Sequence, residues 1–302
     1  SERYMRMASE NGDTYAMIMV ANYNIDNNPN EALNFLKRSI KNGNDHALFI
    51  LADFLKNKKF PSIKNSEKEA FKYLKMAADK DEEKSVKTVG QWLFYGICCD
   101  KNVHESMKYF KKSADLFNDP ESQYMYGYIS IYGCDGYKVN LKEGIEYYEK
   151  AADQNFPLAL YALGVLYSDG LGVKKSDTKS AVYFKKSADL GFVNAMNNYA
   201  LCLIAGIGVR KNVKEAASYF KKAADLGFVE SAYNIGILYM SGNGVEKNKE
   251  LGEKYLKIAK ENGFEHALEI GEHVYKQRFD ENDSIYHLLN AFSHFLLNCL
   301  DA

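Results

Sequence analysis

Apolar and polar positions along this chain follow a helical beat, which short polar or Gly-rich stretches interrupt at regular distances. An aromatic residue, followed by a basic or apolar run and small residues, returns at Tyr4, Phe35, Tyr73, Tyr109, Tyr147, Tyr183, Tyr219 and Tyr255. The separations are 31, 38, 36, 38, 36, 36 and 36 residues. A period of this size predicts an array of structural repeats. Each period holds two helical patterns, joined by a short turn on one side and a longer, often Gly-rich loop on the other, so each repeat is a helix–turn–helix pair. Helix B carries the recurring aromatic, and helix A follows it.

Seven residues before the aromatic stand Asn28, Ser66, Asn102, Asn140, Ser176, Asn212 and Asn248, side chains that accept a bond from a first-turn N–H. Glu31, Glu69, Glu105, Glu143 and Glu215, three residues further on, predict a reciprocal capping box, which Lys179 and Leu251 break. Helix A carries two ladders of small residues. The first is Ala16, Ala47, Ser85, Ser122, Ala159, Ala195, Ser231 and Ala267, and the second is Ala21, Ala52, Gly90, Gly127, Gly164, Ala200 and Gly236. Small side chains let backbones approach, and the large aromatics are expected to fill the spaces between. Loops such as SDGLGVKKS (168–176) place Gly170 at a helix end and Gly172 at the reversal, with Val173, Val209 and Val245 expected to plug the gaps between layers.

These runs resemble the Sel1-like repeat, a relative of the tetratricopeptide repeat. ALYALGVLYSDGLGV (159–173) matches the first half of its pattern and AASYFKKAADLG (216–227) the second. NKKFPSIKN (57–65) lacks the GxGV loop, and the stretch from Asn22 to Asn28 is shortened. The resemblance implies an all-α, right-handed α/α superhelical solenoid of about seven to eight helix pairs. Residues 1–12 would form a partial repeat, 13–262 seven pairs, and 263–302 a terminal pair acting as a cap, all within one solenoid. It also implies a scaffold or adaptor between proteins, as in ubiquitin-ligase complexes of membrane-associated degradation, or a regulatory partner of enzymes. No catalytic residue and no cofactor is implied.

Stacked pairs present a helix-A surface to partners. Counting two, six and nine residues from the first small ladder gives a stripe expected to point away from the core: Tyr124, Tyr128 and Ile131; Tyr161, Val165 and Ser168; Asn197, Leu201 and Ile204; Tyr233, Ile237 and Met240. We assign partner binding to Tyr124, Tyr128, Tyr161, Val165, Asn197, Leu201, Tyr233 and Ile237, with Asn197 as an amide for an extended peptide backbone. The same positions can instead serve packing between repeats. Earlier repeats are more polar there: Ile18 and Asn22, Phe49 and Asp53, Lys87 and Gln91.

Composition narrows the function further. The 302 residues carry 39 basic and 40 acidic side chains, a net charge of −1, with 23 tyrosines and one tryptophan. This balance argues against a nucleic-acid binder, which gathers basic charge on one face. The Lys pairs Lys111/Lys112, Lys185/Lys186 and Lys221/Lys222 are followed by Asp115, Asp189 and Asp225, a spacing that neutralises one helix face. Cys98, Cys99, Cys134, Cys202 and Cys299 form no CxxC pair, which fits free thiols in a reducing, cytoplasmic compartment and no metal site. His266, Glu269 and His273 share a helix face but lack a closing ligand set, so structural roles are expected. No apolar run spans a membrane. Residues 284–300 contain no Asp, Glu, Lys or Arg and are expected to cover the last repeat or to contact another subunit. Opening inside a helix B, the chain reads as part of a longer protein. The alternative to an adaptor is a permanent part of a large assembly, such as a cytoskeletal array.

Overall fold

The computed structural model describes residues 2–264, 266–269 and 272, and among these residues it is entirely helical. The α-helices are α1 (Glu2–Glu10), α2 (Thr14–Asn24), α3 (Pro29–Lys41), α4 (His46–Lys56), α5 (Ser66–Ala78), α6 (Glu83–Tyr95), α7 (Val103–Leu116) and α8 (Pro120–Tyr132). They continue as α9 (Leu141–Asp153), α10 (Pro157–Asp169), α11 (Asp177–Asp189), α12 (Val193–Ala205), α13 (Val213–Asp225), α14 (Val229–Ser241) and α15 (Lys249–Glu261). Even-numbered helices are A and odd-numbered helices B. Within each unit consecutive helices pack on one another, from α1 to α8 and from α10 to α15, giving an all-α solenoid fold of helix pairs. The chain divides into two compact units, residues 1–147 and 148–302. The proposed cap at 263–302 and the helix at 284–300 lie almost wholly outside the described residues.

Helix B starts are capped as their sequence demands, but not reciprocally. Asn102 Oδ1 accepts from the Glu105 N–H at 3.0 Å, and Asn28, Asn140, Ser176, Asn212 and Asn248 cap in the same way. The backbone N–H of the cap does not bond to the third-position glutamate. It donates instead to a carbonyl near the end of the preceding helix A, as Asn102 does to Leu93 at 2.7 Å and Asn212 to Leu203 at 2.9 Å. The glutamate accepts from the cap's side-chain amide, as Glu215 does from Asn212 at 2.8 Å. The cap thus ties B to A and leaves the carboxylate available to other helices. Ser66 is not a cap: α5 starts at Ser66 itself, after Asn65 in the left-handed region.

The B-to-A turn follows the Schellman pattern, with the Phe228 N–H donating to Ala223 O at 3.0 Å and Gly227 between them at φ +90°. In the longer loops, Val209 and Val245 pack on the second unit's core. The irregular loop 57–65 solves the same problem differently: Phe60 is buried there and meets Phe54 edge-on at 6.1 Å.

The deepest ring in a layer is not the recurring aromatic but the residue after it. Leu36, Leu74, Phe110, Tyr148, Phe220 and Leu256 are essentially inaccessible, whereas the recurring aromatic is half-buried at Phe35, Tyr73, Tyr109 and Tyr183 and buried, though less deeply, at Tyr147, Tyr219 and Tyr255. Phe184 presses on Gly164, where an added Cβ would sit 2.6 Å from its ring. This contact explains why the second ladder is small.

Candidate functional site

The helix-A surface of the first unit is assembled from α6 and α8. Pro120 at the start of α8 and the Asp119 cap, whose carboxylate accepts from the Ser122 N–H at 2.8 Å, fix where that helix begins. Its face with Ser122, Gln123, Tyr126, Ile129 and Ser130 is buried, which leaves Tyr124, Tyr128 and Tyr132 in line at intervals of four. Their rings form a ladder, with centroids 6.4 Å apart for Tyr124–Tyr128 and 5.0 Å for Tyr128–Tyr132. Tyr124 and Tyr128 are half-buried, and Tyr132 is 49% exposed. Tyr95 holds on α6 the register that Tyr132 holds on α8 and is 63% exposed, braced edge-on by Phe94 at 4.9 Å.

Polar ties lock the other end of this surface. Lys87 Nζ lies 3.0 Å from Asp119 and 3.1 Å from Glu121, and Gln91 Nε2 donates to Glu121 at 2.8 Å. Burial opposes the charge on Lys87, but the two carboxylates outweigh it and raise its pKa. The surface therefore grades from a neutralised polar clasp to exposed tyrosines.

The expectation of an away-facing stripe fails at several positions. Every ninth-position residue named above except Ser168 is buried: Ile131, Ile204 and Met240. The register turns inward there, and the exposed continuation is the tenth position, where Tyr95 and Tyr132 stand. The spacing of four from Tyr124 and Tyr128 was the signal for Tyr132. In the second unit Asn197 is buried, and its Oδ1 accepts from Ser231 Oγ at 2.9 Å and Asn234 Nδ2 at 3.3 Å. The amide thus binds the next helix A and does not face outward. Tyr233 is 5% exposed and stacks on Phe264 at 5.2 Å, and Ile237 is fully buried. Asn197 and Tyr233 share one cause, since residues later in the chain, Ser231 and Asn234 for one and Phe264 for the other, cover them. Tyr161, Val165 and Leu201 stay half-buried against the core, with Tyr161 between Phe184 and Phe192 and receiving a bond from Asn198 Nδ2 at 3.4 Å.

Other candidate chemistry is weakly assembled. His266 Nδ1 lies 3.0 Å from Glu269 on an exposed face, and His273 is outside the described residues. Among the described residues no group of three ligating side chains converges. Cys98, Cys99, Cys134 and Cys202 are free thiols, and burial pushes Cys99 and Cys202 up to about 11, away from thiolate reactivity. A polar cavity of about 480 Å³ by Thr14, Asn44 and His46 holds a His46–Glu82 pair at 3.0 Å, but Thr14 Oγ1 there accepts from Asn44. Lys185 and Lys221 pair within their helices with Asp189 and Asp225. Lys111 reaches Glu143 of α9 instead, and Lys112 reaches Asp81 in the turn between α5 and α6. No described helix is long and apolar enough to cross a membrane.

Comparison with known proteins bears on this geometry. The Sel1 repeat model matches seven times, at residues 15–44, 47–82, 89–116, 120–156, 157–192, 193–228 and 229–264. A protective antigen of uropathogenic Escherichia coli displaying an SLR fold superposes with a TM-score of 0.82 over 98% of this chain and 64% of its own, at 22% identity, a likeness of fold alone. A Sel1 repeat protein from Oxalobacter formigenes gives 0.67 over 81% of this chain and 99% of its own, at 26% identity. In Arabidopsis thaliana, the ERAD-associated E3 ubiquitin-protein ligase component HRD3B is 33% identical over 112 residues, 37% of this chain. The chain spans only 17% of that relative's length. Sel1 repeats typically serve as protein-interaction scaffolds. Seven matched repeats, each coinciding with an observed helix pair, establish that the chain belongs to the Sel1 repeat family.

Proposed function

We propose that this protein is a non-catalytic scaffold or adaptor that takes a protein or peptide partner on the helix-A surface of its first unit, through Tyr95, Tyr128 and Tyr132 with Tyr124 beside them. The observation that carries this reading is the exposure of Tyr95 and Tyr132 at one register of consecutive A helices. Tyrosine contributes large contact area at low conformational cost, and its hydroxyl bonds a partner's backbone. In the second unit Tyr161, Val165 and Leu201 offer a smaller, half-buried version of the stripe. A near-zero net charge supports recognition by shape and apolar contact over long-range steering. The likeness to a ubiquitin-ligase component supports a role as a non-catalytic part of a larger complex. Free thiols support a reducing, cytoplasmic setting.

Quantitative affinity purification of the wild type against a Tyr95→Ser, Tyr132→Ser variant tests the proposal. Partners held by the wild type should be depleted at least about tenfold from the variant while its helical circular dichroism is unchanged. Equal recovery of every partner would refute the assignment of this surface.

A further inference from the structure

A phenol-to-carboxylate bond joins successive B helices at Asp115, Asp189 and Asp225, which accept from the hydroxyls of Tyr147, Tyr219 and Tyr255. Asp189 and Asp225 also take the ammonium of the lysine four residues earlier, Lys185 at 2.7 Å and Lys221 at 2.6 Å. Between α5 and α7 the same register holds Asp79 and Tyr109, and neither bond forms there. Lys75, four residues before Asp79, lies 2.7 Å from Glu105 instead. Among the described residues, the Asp79 carboxylate and the Tyr109 hydroxyl have no hydrogen-bond or ion-pair partner. Asp153 also lacks its tie, but Glu149 stands in the place of the lysine there, and Tyr183 lies flat on Tyr167 at 5.6 Å.

In place of the missing tie is a cavity of about 260 Å³, lined by Asp79, Glu105, Lys108, Tyr109 and Lys112. The last four share one face of α7 by their spacing. The Tyr109 ring stands half-buried against the core of the first unit, which fixes one wall. Two of the four charges are already neutralised. Glu105 is held by Lys75, and Lys112 lies 2.6 Å from Asp81 and donates to Ala78 O at 3.0 Å. That leaves one carboxylate, Asp79, and one ammonium, Lys108, unpaired among the described residues.

We propose that this cavity binds a small zwitterion, a free α-amino acid. Its ammonium bonds to the Asp79 carboxylate and to Tyr109 Oη, taking the part that Lys185 and Tyr219 play at Asp189, and its carboxylate meets the Lys108 ammonium. An unpaired charge of each sign calls for a ligand that carries both, because a bare cation would face Lys108 and a bare anion would face Asp79. Size points the same way, since the cavity lies below the ~300–1,000 Å³ of sites for drug-sized ligands. Asp79 and Lys108 are both exposed, so water competes for each bond and the dissociation constant falls in the millimolar range.

Saturation-transfer NMR titration of the full chain with L-alanine, L-leucine and L-glutamine tests this. At least one should bind saturably in the millimolar range. Its N-acetyl derivative, without the ammonium, and its methyl ester, without the carboxylate, should each bind about fivefold more weakly or worse. Asp79→Asn and Lys108→Gln should each weaken binding by a similar factor with helical circular dichroism unchanged, and Tyr109→Phe should cost less. No saturable binding of any of the three, binding indifferent to Asp79→Asn or to Lys108→Gln, or equal binding of the methyl ester, which would mark a bare cation site, would overturn the proposal.

Discussion

The hydroxyl of Tyr219 donates to the Asp189 carboxylate at 2.7 Å, joining helix B of one layer to helix B of the layer before it. Tyr255 does the same to Asp225 at 2.8 Å, and in the first unit Tyr147 reaches Asp115 at 2.6 Å. In these layers the recurring aromatic therefore has two duties, burying its ring and tying the layer through its oxygen. Tyr219→Phe keeps the ring, which meets Tyr199 edge-on at 5.1 Å, and removes only the tie. We expect a loss of about 1 kcal/mol in urea unfolding, with a similar loss for Tyr255→Phe. In an Asp189→Asn background Tyr219→Phe should cost much less, because the charge-assisted part of the bond is already gone.

These ties also set a pH response. Burial disfavours the charge on Asp189, but Lys185 and Tyr219 outweigh it and hold the carboxyl below its ordinary value, and Lys221 and Tyr255 do so for Asp225. A depressed carboxyl stabilises the fold above its ordinary pKa near ~4 and loses that contribution as pH falls further. Tyr219 moves the other way, pushed up to about 12 by burial and by its bond to Asp189. A raised phenol stabilises below its ordinary pKa near ~10 and loses the effect as pH rises beyond it. The thermal midpoint should therefore fall on both the acid and the alkaline side of a plateau. Asp189→Asn should lower the plateau and flatten the acid limb.

Serines at one register of helix B should respond oppositely to alanine. Ser187 and Ser113 are both fully buried four residues after the recurring aromatic. Ser187 Oγ donates to Pro157 O at 2.7 Å, whereas Ser113 Oγ has no partner. Ser187→Ala should cost about 1 kcal/mol, and Ser113→Ala should be neutral or stabilising, as the alanines at that register in other layers suggest. Chemical denaturation of the two variants side by side measures the difference in sign.

Gly164→Ala tests the close approach inside a layer. The new methyl would meet the Phe184 ring within 2.7 Å, so ring or helix must shift, at about 1–3 kcal/mol. Near-ultraviolet circular dichroism should change along with the thermal midpoint, because Phe184 also packs on Tyr161 at 5.6 Å.

Periodicity alone made the helix pairs, the small ladders and most of the caps legible, because each is a local consequence of spacing. What it left out lies between layers. That the Asn102 N–H would bond to Leu93, leaving Glu105 for the Lys75 ammonium at 2.7 Å, depends on a neighbour 30 residues away. The partner stripe was legible in part for the same reason. Tyr124 and Tyr128 keep some exposure, but Asn197 and Tyr233 are claimed by Ser231, Asn234 and Phe264, contacts that one helix's own pattern does not contain. Tyr95 was missed because helix α6 looked polar at the two preceding stripe positions, Lys87 and Gln91, which are taken up by Asp119 and Glu121.

The most direct test of the scaffold reading is amide hydrogen exchange on the full chain, alone and with a partner recovered by the wild type. Binding should slow exchange at the C-terminal ends of α6 and α8, in peptides spanning Gln91–Gly96 and Tyr124–Gly133, with little change on the B helices. Protection confined to the B helices, or absent from both A-helix peptides, would contradict the account.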